Sequence, residues 1–290
     1  MLDPHDTPRF GLWDGHTHSE LCPHGSFEPT SAFVERAIAL GFERYSLTEH
    51  PPLPEGFVDP APQQDCALPR GSLERYLEHA RALRSRYADR IEVCVGLEVD
   101  FIPGRERDCR ALLDAVGRAL DDALLSIHFL PLASGYACID FSAEHTQRLL
   151  IPYYGSLQAV HAAYWRTVRS AVEMDLGPWK PKRIGHLTLT QKFRLELGEP
   201  PLEWTLEQVE PILRAMAERG MALDVNAAGL KKPGCRQLYP PEEILVLAVR
   251  CGVPLIYGSD AHAVAGVGQL RDEVAQIVTR ARGAGASALP

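Results

Sequence analysis

The sequence predicts an α/β chain folded as a seven-stranded parallel barrel. Three observations carry this expectation: short apolar runs alternate with helical stripes, some runs are apolar on both faces, and polar residues recur where the runs end. β-favouring runs fall at 11–18, 44–50, 91–100, 124–129, 183–187, 222–226 and 254–259. Val93-Cys94-Val95-Gly96-Leu97 is nearly continuous in apolar character, which suits a strand covered on both faces.

Helical spacing fills the intervals. Leu73, Tyr76, Leu77, Ala80, Leu83 and Tyr87 form one stripe, and Cys109, Leu112, Leu113 and Val116 a second. Leu157, Val160, Tyr164, Val168 and Val172 form a third, and Leu206, Val209, Leu213 and Met216 a fourth. Thr205 with Gln208 reads as a capping box for the fourth helix, and Pro240-Pro241 and Gly268 mark the starts of the last two. Strand-then-helix repetition fits either a barrel or a doubly wound open sheet. The polar residues choose between them, because His16, His18, His50, Glu98, His128, His186, Asn226, Asp260 and His262 end nearly every run. An open sheet feeds a site only from strands beside its switch point, whereas every strand end of a barrel faces one mouth.

One domain over 1–282 is expected, with no internal repeat. The proline-rich stretch 51–70 is long for a βα connection and reads as a pocket wall. The small-residue tail 283–290 reads as disordered. The net charge is −8 with no basic stretch, which argues against a nucleic-acid partner. No apolar run is long enough to cross a bilayer, and the polar N-terminus lacks a signal-peptide pattern. Seven cysteines without a CxxC pair suit reduced thiols in the cytoplasm.

In Asp14-Gly15-His16-Thr17-His18 the two histidines lie two apart on a strand, so they share a side and can grip one ion. His24 follows on a loop, and His50, Glu98, His128, His186, Asp260 and His262 end later strands. A buried ionised carboxylate is costly unless it is paired or bound to a cation. Seven histidines and two acids on one rim therefore point to a metal site at the C-terminal ends of the strands.

The string DGHTHSELCPHG, followed in order by TEH, GLEVDF, SIHFL, IGHL, DVNAAGL and GSDAH, resembles the PHP phosphoesterase family from about Trp13 to His262. The resemblance implies a distorted (β/α)7 barrel holding three metal ions. His16, His18, Glu98 and Asp260 match the ligands of the first ion, with Glu98 bridging to a second held by His128 and His186. His24, His50 and His262 match the third set. Two departures stand out: Glu49 occupies a place where aspartate is common, and Lys231-Lys232 follows the sixth strand where arginine is common. Nitrogen and oxygen donors without a thiolate suit zinc, iron or manganese, and Cys22 reads as packing.

The function implied is a metal-dependent phosphomonoesterase acting on a small phosphorylated metabolite, with L-histidinol phosphate of histidine biosynthesis expected. The alternatives are another small phosphomonoester, or a phosphodiester as in a nuclease. Asp260 is the candidate for proton transfer to the leaving group, and Glu98 is the metal-bridging catalytic residue. Lys192, Lys231, Lys232 and Asn226 are candidates for phosphate contact, as they follow strand ends. Glu55, Asp59 and Asp65 in the 51–70 stretch are candidates to receive a cationic amine.

Overall fold

The computed structural model describes residues 9–286. Seven parallel strands form a nearly closed barrel in the order β1 (Trp13–Asp14), β2 (Arg44–Glu49), β3 (Glu92–Asp100), β4 (Asp122–Ser126), β7 (Arg183–Ile184), β8 (Ala222–Asn226) and β9 (Leu255–Gly258). The interruption is an antiparallel hairpin of β5 (Phe129–Pro131) and β6 (Tyr136–Cys138), set between β4 and β7 in the chain. Backbone hydrogen bonds close the ring between first and last strand segments: Gly15 N to Tyr257 O at 2.9 Å, Asp260 N to His16 O at 2.7 Å, and His18 N to Ala261 O at 3.0 Å.

Alternation along each strand separates two interiors. Val93, Val95, Leu97 and Val99 belong to the large apolar cluster under the helices. Cys94, Gly96 and Glu98, one residue out of phase, therefore face the barrel axis. The same phase puts Ser46, Asp122, Asp224 and Gly258 inside, while Leu47, Ala123, Val225 and Tyr257 pack outward. Trp13, Ala222 and Ile256 form a small apolar cluster of their own near the strand starts.

Each connection brings a helix to the outer layer. Thr30–Ala39, which no sequence stripe marked, buries Phe33, Val34 and Ala37. Leu73–Arg86 buries Tyr76, Leu77, Ala80 and Leu83, and Glu106–Val116 buries Cys109 and Leu113. Leu157–Glu173, Leu202–Glu218, Glu242–Arg250 and Arg271–Ala286 complete the layer.

Three local expectations are corrected. The helix Leu202–Glu218 starts before the expected capping box. Pro201 precedes its first turn, and Thr205 lies inside it with its hydroxyl donating to Pro201 O at 3.2 Å. The run expected at 124–129 splits, with β4 ending at Ser126 and Phe129 starting the hairpin. The last helix continues to Ala286, so only 287–290 of the expected tail lies outside the described residues, as do residues 1–8. No helix among the described residues is long and apolar enough to cross a membrane.

Candidate metal centre

The axis-facing phase of the strands converges at their C-terminal ends. His16 and His18 follow β1, Glu98 stands on β3, and His128 and His186 follow β4 and β7. Asp260 and His262 follow β9 and His50 follows β2, while His24 comes from the loop after β1. All nine expected residues meet on one rim. Glu98 lies at the centre: its Oε2 is 3.0 Å from His16 Nε2, 3.5 Å from His18 Nε2 and 3.4 Å from His50 Nδ1. Its Oε1 is 2.8 Å from His186 Nε2 and 3.6 Å from His128 Nε2.

The partners of the far ring nitrogens set the tautomers. His16 Nδ1 meets Asp224 Oδ2 at 2.8 Å, His18 Nδ1 meets Glu49 Oε1 at 3.2 Å, and His128 Nδ1 meets Asp100 Oδ1 at 2.6 Å. His24 Nδ1 meets the Asp65 carbonyl at 2.7 Å and His262 Nδ1 the Asp260 carbonyl at 3.1 Å. Each partner only accepts, so each of these Nδ1 atoms carries a proton and Nε2 is the atom left to bind a cation. Those Nε2 atoms then face one another, the His186 ring or carboxylates. His24 Nε2 lies 2.9 Å from His262 Nε2, and His128 Nε2 lies 3.2 Å from His186 Nε2. His18 Nε2 lies 3.2 Å from Asp260 Oδ1.

Lone pair against lone pair is repulsive unless a proton or a cation lies between. The arrangement fits cations, because rings that bind metal donate their other N–H to a carboxylate or carbonyl in this way. Donor atoms within 4.8 Å of one another form the sets His16, His18 and Asp260; His24, His50 and His262; and His16, Glu98 and His186. Cys22 joins one further set with His18 and His262, but burial and the charge of Glu49 push its thiol far up, so it stays protonated and apolar.

Burial would raise the carboxyls of Glu98 and Asp260, yet the histidine charges and hydrogen bonds around them hold both well below the usual carboxylate range. Asp260 also sits at φ +55°, a left-handed conformation that costs a non-glycine residue energy and recurs at functional sites. Gly258 makes room for the support below it, since a Cβ there would lie 2.2 Å from Asp224 Oδ1 and 2.8 Å from the His16 Cβ.

The rim forms the floor of a cavity of about 580 Å³. Lys192, Lys231 and Lys232 line it, as do Asp65, Cys66, Cys138, Asp140 and Phe141. Asn226 is placed differently from expectation. It is buried beneath the rim, donating to Asp224 Oδ2 at 3.2 Å and Asp260 Oδ2 at 3.3 Å, and accepting from Ala228 N at 3.0 Å. The 51–70 stretch does wall the cavity, through Ala61, Gln63, Asp65 and Cys66. Asp59 instead organises its own loop, accepting from Ala61 N at 2.8 Å and Cys66 N at 3.0 Å. Glu55 is exposed and does not line the cavity.

Asp100, Asp224 and Asp140 went unmarked in the sequence. Asp100 stands two residues after Glu98 and Asp224 two before Asn226, a same-face spacing that was open to reading.

Fold and rim together define a (β/α) barrel with a cluster of side chains able to hold metal at its mouth. The chain belongs to the PHP domain family, which residues 14–228 match. It is 41% identical over 255 residues to the histidinol-phosphatase of Bacillus subtilis, covering 88% of this chain and 95% of that one. It is 25% identical over 300 residues to the histidinol-phosphatase of Saccharomyces cerevisiae, covering 91% and 87%. Among solved structures, hisK from Listeria monocytogenes superposes with a TM-score of 0.87 at 36% identity, over 90% of this chain and 99% of that one. The histidinol phosphate phosphatase of Lactococcus lactis, solved with zinc, L-histidinol and phosphate, shares the fold at a TM-score of 0.72 and 20% identity, over 94% of each chain.

Proposed function

We propose that this chain hydrolyses L-histidinol phosphate to L-histidinol and phosphate in histidine biosynthesis, using three metal ions on the barrel rim. The observation that carries the reading is the set of imidazole nitrogens facing one another under a cavity lined by lysines. The Bacillus subtilis relative, named a histidinol-phosphatase, supports the choice of substrate. His16, His18, Glu98 and Asp260 would hold one ion, Glu98, His128 and His186 a second, and His24, His50 and His262 a third. Zinc, iron and manganese suit this donor set, and zinc is present in the Lactococcus lactis structure. When bound, such ions activate water and neutralise the charge that develops on a transferring phosphoryl group.

The chain's own residues do the rest. Lys192, on the cavity wall, takes phosphate oxygens, and Lys231 and Lys232 at the exposed mouth draw the dianion in. Asp260 is about one-fifth exposed, at 18% of its side chain. It carries the proton lost by the attacking water to the leaving alkoxide, so an alcohol and inorganic phosphate are released. Asp65, which also lines the cavity, receives the cationic amine of the substrate. A cytoplasmic setting belongs to the same reading, since all seven cysteines are free thiols.

The test is turnover by the metal-reconstituted protein of L-histidinol phosphate, other phosphomonoesters, a phosphodiester and an oligonucleotide. Preference for L-histidinol phosphate is expected. Cleavage of the oligonucleotide without monoester turnover would sink the reading.

A further inference from the structure

Asp140 follows the hairpin strand β6, and its role is not fixed by the rim. We propose that Asp140 is a positioning residue that holds the Lys192 ammonium against the cavity wall, aimed at the phosphate of the bound substrate. The inference rests on the function proposed above and assigns the residue that makes its phosphate contact work.

Asp140 and Lys192 stand 52 positions apart, yet Lys192 Nζ donates to Asp140 Oδ2 at 2.9 Å. Both side chains are about four-fifths covered, with 20% of Lys192 and 21% of Asp140 exposed, and both line the cavity. The second carboxylate oxygen is also engaged, as Cys138 Sγ donates to Asp140 Oδ1 at 3.0 Å. Asp140 is therefore fixed from two sides, with each of its oxygens already engaged. An ammonium has three donors; Asp140 uses one and leaves two for phosphate oxygens. A lysine on a flexible four-carbon stem otherwise loses rotamer freedom when it grips a ligand, and the pair takes that loss before substrate arrives. Burial pushes Lys192 down, but the charge and hydrogen bond of Asp140 outweigh it and keep the ammonium protonated.

The competing explanation is an ordinary ion pair that ties the hairpin to the segment after β7. A double-mutant cycle separates the two. Metal-loaded wild type, Asp140→Asn, Lys192→Met, the double variant and Asp140→Glu are compared by steady-state kinetics and by calorimetric binding of inorganic phosphate. Elemental analysis shows that each retains its metals. Asp140→Asn is expected to weaken phosphate binding and raise KM about tenfold, the scale of one charge-assisted hydrogen bond, with kcat little changed. In the Lys192→Met background the same change should cost less than about twofold, and Asp140→Glu should recover part of the loss.

Equal losses in both backgrounds would overturn the proposal, since Asp140 would then act independently of Lys192. So would unchanged phosphate binding in Asp140→Asn, which is what a purely structural pair gives. If Lys192→Met also binds phosphate normally while wild type still turns over the monoester, this proposal falls and the proposed function stands. If wild type turns over no monoester but phosphate binding shows the coupling, the proposed function falls and the positioning role is upheld.

Discussion

At the N-terminal end of the barrel the chain buries Arg183, and at the C-terminal end it gathers seven imidazoles, four of them buried; the two clusters meet their polar groups in opposite ways. Arg183 Nη2 donates to Asp122 Oδ2 and to the Gly15 carbonyl, each at 2.6 Å. Ser46 Oγ donates to the same Asp122 oxygen at 2.7 Å, and Trp13 Nε1 donates to Ser46 Oγ at 2.9 Å. The guanidinium also lies 5.1 Å from the centre of the Trp13 ring, where the electron-rich face attracts it. A Cβ at Gly15 would fall 2.6 Å from Arg183 Nη1, so this approach requires glycine. Here positive meets negative, and Arg183 Nη2 meets its acceptors while Nε and Nη1 have no hydrogen-bond partner among the described residues. On the rim, imidazole nitrogen meets imidazole nitrogen at 2.9 and 3.2 Å, a contact that needs a proton or a cation between the two. Buried charge alone does not mark a functional site; charge and lone pairs that the chain itself leaves mismatched do.

The sharpest way to break the comparison is Glu98→Gln. Its carboxylate touches both groups of rim nitrogens, so the amide should cost about three orders of magnitude in kcat, roughly 4 kcal/mol, together with bound metal. Near-wild-type kcat with full metal content would show that the rim does not depend on this bridge. Arg183→Met asks the same question of the other end. Asp122 would be left buried and unpaired, so stability should fall by about 3–5 kcal/mol, while metal content per folded chain stays unchanged. Denaturant unfolding and elemental analysis measure the two, and Asp122→Asn in the same chain should return part of the loss.

A smaller effect is expected one step below the rim. Asp224→Asn removes the negative charge behind the His16 ring and weakens the acceptor that takes the His16 Nδ1 proton and the His186 backbone N–H at 3.1 Å. Metal affinity should fall about ten- to a hundredfold with the fold intact. An unchanged affinity in a chelator competition would mean that His16 is oriented by packing alone. Smallest is Asp65→Asn on the cavity wall. KM for an amine-bearing phosphomonoester should rise by no more than about fivefold, as for a partly exposed ion pair, with p-nitrophenyl phosphate unaffected. Equal changes for both substrates would assign Asp65 to the loop alone, through the carbonyl that holds His24.

The rim was legible because strand alternation and strand order are written locally. His16-Thr17-His18 and Asp260-Ala261-His262 announce two side chains on one face, and apolar runs announce strands covered on both sides. What the rim rests on was harder to see, because its contacts are long-range. His24 reaches Asp65 across 41 residues, and Lys192 reaches Asp140 across 52. The hairpin that delivers Asp140 has strands of three residues each, too short for any period to show. Asn226 was assigned to phosphate because strand ends face the mouth, yet the alternation that turns it inward also sinks it under Asp260. Of the basal cluster, nothing local paired Arg183 with Asp122, which lies 61 residues away.

Ring closure has a consequence for the order in which the molecule becomes competent. His16 and His18 are made early, but Asp260 and His262 come from the last strand segment, joined to the first by backbone hydrogen bonds from Asp260 to His16 and from His18 to Ala261. On the ribosome, where synthesis runs from the N-terminus, a nascent chain therefore carries an unfinished rim until the segment after β9 has emerged. Shortened products that stop before β9 possess six of the seven rim histidines and Glu98, yet lack the segment that completes the ring. Synthesis of the β9 segment is itself the gate on the site.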